Sequence, residues 1–155
     1  MRYLAMTLAV GALVAIGAAE SAASAEQLAD LPGRGRPALA LGGAALTLLG
    51  FILSVAVYAA LGWFVARLAL DEGLALRTGA VVGLVAGFLG GTVRALFVRD
   101  YLSETVSRFG IPDEFTTWSL AVFVLLSILV SAAAGGAITW LSFRSARGRS
   151  PRPRT

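Results

Sequence analysis

The sequence predicts an all-α integral membrane protein, a helical bundle of four transmembrane helices, and three observations carry that prediction. Of its 155 residues, 57% are hydrophobic and 14% are charged, with a mean hydropathy of +0.80, which leaves too little polarity to face water over a whole surface. The apolar residues gather into four runs, and a bilayer crossing needs roughly 20 residues. The charges fall mostly between those runs, with Trp residues near their ends, as at a membrane-water boundary.

The first run, 4–23, follows Arg2 and leads into the small and polar residues ESAASAEQ. It reads as a retained span, with Thr7, Gly11, Ala15, Ala19 and Ala23 recurring at i+4 along one side. A short basic start, an apolar core and the pair Ala23 and Ala25 before Glu26 also fit a cleaved signal peptide, which would leave three spans. Pro32, Gly33, Gly35 and Pro37 then interrupt any helix, and Pro37 suits the first turn of the next one. The second span, 41–64, carries Tyr58, Trp63 and Phe64 toward its far end, with Arg67 just beyond, and these are read as interface marks.

A brief charged connection with Arg67, Asp71, Glu72 and Arg77 makes the second and third spans an antiparallel hairpin. The third span, 78–98, is followed by an amphipathic segment, 100–109. There Tyr101, Leu102, Thr105, Val106 and Phe109 share one face, and Asp100, Ser103, Glu104, Ser107 and Arg108 the other. The expectation is a separate helix on the membrane surface, stopped by Gly110 and Pro112. The fourth span, 117–141, is bracketed by Trp118 and Trp140, which at 1.5 Å per residue stand about 33 Å apart, close to the hydrocarbon thickness. The tail, 142–155, holds Arg144, Arg147, Arg149, Arg152 and Arg154 without an acid, and is expected to be disordered and to touch anionic lipid. Without interleaved aromatics it is not read as a nucleic-acid site.

Alternating spans collect Arg2, Arg67, Arg77 and the tail arginines on one side, and Arg34, Arg36, Arg99 and Arg108 on the other. The Arg-rich side is cytoplasmic by the positive-inside rule, which places the C-terminus in the cytoplasm of a multi-pass cell-membrane protein.

Missing residue types bound the chemistry. The chain has no His, Cys, Lys or Asn. The usual nucleophile pairs, zinc ligands, haem ligands and disulfides therefore have nothing to be built from, so no enzyme, metal or cofactor is expected. The acid pairs Asp71 with Glu72 and Asp113 with Glu114 sit at span ends and read as helix-end polarity.

The third span holds the sequence's sharpest pattern. Gly79, Gly83, Gly87 and Gly91, continued by Ala95, make an unbroken small-residue ridge, a glycine zipper, although each interior glycine costs about 1 kcal/mol of helix propensity. In lipid, helices associate through close packing and weak Cα-H hydrogen bonds, and small residues permit that approach. A counter-face exists in Ser127, Ser131, Gly135 and Thr139 on the fourth span, also at i+4. The partner of the ridge is either that span or a second copy of the chain.

Arg94 is the one charge within the third span. It lies near the outer end, so it can snorkel to headgroups or pair with Asp100, Glu104, Asp113 or Glu114, yet its helical angle points it toward the ridge. The functional expectation is a small structural or accessory membrane protein acting through helix packing, by self-association or within a larger complex, with the lipid bilayer as its other partner. The alternative is an oligomeric channel or transporter with Arg94 near an anion path.

Overall fold

The computed structural model describes residues 2–29, 37–68 and 71–148, which form four helices in chain order: α1 (Arg2–Ala29), α2 (Pro37–Arg67), α3 (Glu72–Arg108) and α4 (Asp113–Gly148). All four are long and apolar enough to cross a membrane, so the all-α transmembrane bundle is the fold of this chain. Pro37 takes the first position of α2, where its missing N–H interrupts no helical bond. Residues 30–36, with Arg34 and Arg36, lie outside the described residues.

Two boundaries differ from expectation. The 100–109 segment is the continuation of α3, which runs unbroken for 37 residues. The change from apolar to amphipathic composition at Asp100 does not break a backbone that meets no Gly or Pro until Gly110, and Gly110 takes a left-handed φ of 67° in the turn to α4. On that extension Val106 is buried and Phe109 is exposed. Likewise α4 continues through 142–148, so the first part of the expected disordered tail is helical. Residues 149–155 lie outside the described residues.

The α3–α4 contact is the most extensive in the bundle; α1 packs on α2 and α3, α4 also packs on α2, and α2 and α3 touch only slightly. Among the described residues α1 and α4 do not meet. They therefore stand at opposite corners, with α2 and α3 across the short diagonal. The central cluster takes Ala9 and Leu13 from α1, Tyr58 and Leu61 from α2, and Val82 and Ala86 from α3. A second cluster of Val65, Ala75 and Phe143 closes the end near the α2–α3 connection. Large apolar side chains such as Leu48, Phe51, Leu125 and Val130 point outward, the arrangement a lipid solvent favours.

The packed side of α1 is the one bearing Ala9, Leu13 and Ser21. Thr7, Gly11, Ala15 and Ala19 face outward, so their i+4 register is a consequence of alanine-rich composition. Tyr58 is likewise no interface residue. It is 5% exposed in the central cluster, and its ring edge lies against Gly135 of α4, where a Cβ would stand 2.7 Å from Cε1.

Candidate functional site

The ridge on α3 lies along α4 of the same chain. A Cβ at Gly79 would collide with the carbonyl of Gly135 and with Thr139; one at Gly83 would collide with the carbonyl of Ser131. At Gly87 it would stand 2.7 Å from the Ser127 carbonyl, and at Gly91 3.0 Å from the Ser127 Cβ. The antiparallel order is thus continuous: Gly79, Gly83 and Gly87 meet Gly135, Ser131 and Ser127 in turn, and Gly91 meets Ser127 again. Ala95 is buried at the end of the line. Gly62 of α2 approaches Thr139 as closely, and the buried Thr139 hydroxyl donates to the Tyr58 carbonyl at 3.4 Å. Three helices therefore converge on Thr139.

One end of the bundle is tied by polar contacts. The Trp140 indole N–H donates to the Glu72 carboxylate at 2.6 Å, and Arg144 approaches the same carboxylate at 3.6 Å while lying 5.0 Å from the Trp140 ring. Arg67 stacks 3.5 Å from Trp63, and Arg147 lies 4.7 Å from Phe143. Arg144 and Arg147, expected as lipid contacts from a loose tail, sit on α4 and, while exposed, also engage protein groups, because α4 continues far enough to carry them there. Arg149, Arg152 and Arg154 lie outside the described residues.

Beside the seam, toward the Asp100 end of α3, residues of all four helices line a half-open crevice of about 180 Å³. Arg94 of α3, Ser54 and Tyr58 of α2, and Ser127 and Ser131 of α4 line it, and Leu13 and Gly17 of α1 form its remaining wall. Small residues create this space: Gly87, Gly90 and Gly91 reach into the lining where larger side chains would fill it. Arg94 is half-buried here, as its helical angle implied.

One acid that the Arg94 charge reaches is not among the four that the sequence suggested. Glu20 of α1 lies within its electrostatic reach, whereas Glu104 pairs with Arg108 at 2.6 Å. The Glu20 carboxylate rests where a Cβ of Gly50 would be, in an apolar groove between α1 and α2 rather than in the crevice itself. Sequence reading treated Glu20 as the polar edge of the first run and passed over it. The available signal was its place at helical spacing from Leu13 and Gly17, combined with a single opposite charge in another span. The chain matches no protein family, no curated protein and no solved structure.

Proposed function

We propose that this chain is a small multi-pass membrane protein of structural or accessory type, whose working unit is one self-contained four-helix bundle and whose C-terminus is cytoplasmic. The observation that carries this reading is the occupation of the whole glycine ridge by α4 of the same chain. A face already filled from within is not available to a second copy. Assembly with other membrane proteins then uses the outward apolar surfaces of the bundle, while the ridge fixes its shape. The core residues Ala9 and Leu13 support a retained α1, since without it Tyr58, Leu61, Val82 and Ala86 would lose one side of their cluster.

The size and melting of the purified protein in detergent test this. A single-chain species is expected for the wild type. Gly83→Leu and Gly87→Leu should insert, keep that size and melt earlier. Dissociation of a wild-type oligomer by either change would assign the ridge to contacts between copies and overturn the reading. For orientation, a reporter fluorescent only in the cytoplasm should light when fused after Thr155 and stay dark when inserted within Ser107 to Gly110; the reverse pattern would invert the topology.

A further inference from the structure

We propose that the crevice between the four helices is a binding site for a small monovalent anion, with Arg94 as its fixed charge and the hydroxyls of Ser54, Tyr58, Ser127 and Ser131 as its lining. This goes beyond the structural role above and does not depend on it. A guanidinium within an apolar segment requires a partner of opposite charge or a polar path. Among the described residues Arg94 makes no direct ion pair, and no carboxylate lines the crevice; Glu20 acts on it only at a distance, from the neighbouring groove.

Tyr58 supplies an independent observation. It is nine-tenths buried and lines the crevice, and among the described residues its hydroxyl has no hydrogen-bond partner. The half-buried Ser54, Ser127 and Ser131 likewise have hydroxyls without a hydrogen-bond partner among the described residues. All four O–H groups open onto the crevice, and donors left without an acceptor from the chain beside a guanidinium describe a place shaped for an acceptor. The positive charge excludes a cation, and hydrogen bonds from charged and hydroxyl donors to an anion are the strong kind.

Size and depth narrow the ligand further. A space of about 180 Å³ admits a halide, nitrate or formate with a few waters, and is too confined for a polyphosphate. Arg94 stands about 9 Å along the helix from Asp100, and Ala86, also in the lining, about 12 Å deeper. One turn deeper, Leu61 and Val82 are buried in the central cluster. A lipid phosphate at the mouth would satisfy Arg94 by the same chemistry, and it is separated from a free anion in the test.

The protein is purified in maltoside, which carries no phosphate, and chloride is titrated against gluconate at constant ionic strength while the chlorine NMR line width is followed. Saturable broadening reversed by nitrate is expected. Arg94→Gln should weaken it by about tenfold or more and Tyr58→Phe by about threefold to tenfold, whereas Glu20→Gln should strengthen it by removing a competing negative charge. Should Arg94→Gln fail to fold, the opposite responses of Tyr58→Phe and Glu20→Gln still decide the question. Binding that persists in phosphatidylglycerol nanodiscs supports a free-anion site, and binding lost there assigns Arg94 to headgroups and overturns it. Absence of saturable broadening in the wild type, or broadening unchanged by both Arg94→Gln and Tyr58→Phe, also overturns it. The seam variants read size and melting instead, so failure here and failure of the structural role are told apart.

Discussion

Gly79, Gly83 and Gly87 on α3 and Gly11 and Gly17 on α1 occupy similar apolar sequence and opposite surroundings in space. A Cβ added at any of the first three runs into α4, while one added at Gly11 or Gly17 meets nothing within 4 Å. Glycine abundance therefore says little about packing in this chain. What separates the two sets is register: the α3 glycines repeat at strict i+4 and face a second segment with the same repeat. The α1 pair has no such counter-face. Close backbone approach needs both surfaces to be small along the same line, and only α3 and α4 meet that condition.

The contrast is most sharply broken at the centre of the seam. Gly83→Leu places a branched side chain against the backbone of Ser131 and Ala132, where no flexible group can yield, and a loss of about 3 kcal/mol or more is expected in detergent melting. An unchanged melting curve would mean that the two helices separate freely at that point.

A smaller effect is expected at Gly50, where the obstructing atoms belong to the end of a flexible carboxylate side chain. Gly50→Ala should displace Glu20 rather than the α2 backbone and destabilise by about 1 kcal/mol, with faster hydrogen exchange confined to α1. Exchange rising equally in α4 would show that α1 is not the element released.

Smallest of all are the positions where an added or removed side chain meets no packed neighbour. Gly17→Ala should be neutral or stabilising by up to about 1 kcal/mol, because helix propensity improves and nothing is struck. Leu84→Ala, on the exposed side of α3, should also leave melting nearly unchanged. A large loss at Leu84 with none at Gly83 would reverse the assignment of the faces.

The spans were legible because bilayer thickness imposes one length on every crossing, and the ridge with its counter-face because both follow a single helical period. The extension of α3 was not. Composition changes at Asp100, and an amphipathic continuation has the same pattern as a separate surface helix; the absence of a breaker before Gly110 was the better guide. Tyr58 illustrates the other limit. An aromatic residue toward the end of a span carries the same signature at an interface and in a core, and the Gly135 that receives its ring lies on a helix far away in sequence. The crevice was beyond any local pattern, since its lining comes from four helices at once. Arg94 could be singled out as a charge, but its surroundings could not.

The order of synthesis gives Glu20 a history that its final position conceals. The α3–α4 hairpin joins neighbours in sequence and can close as soon as α4 is made, with little loop entropy to overcome. Glu20 and Arg94 belong to helices that pack directly on each other, yet at ribosomal rates of 5–20 residues per second Arg94 is made roughly 4–15 s after Glu20. During that interval the acid must wait without its later counter-charge. Its place near the C-terminal end of the first span, within a turn of Ala23, keeps it close to the aqueous boundary until the third helix arrives.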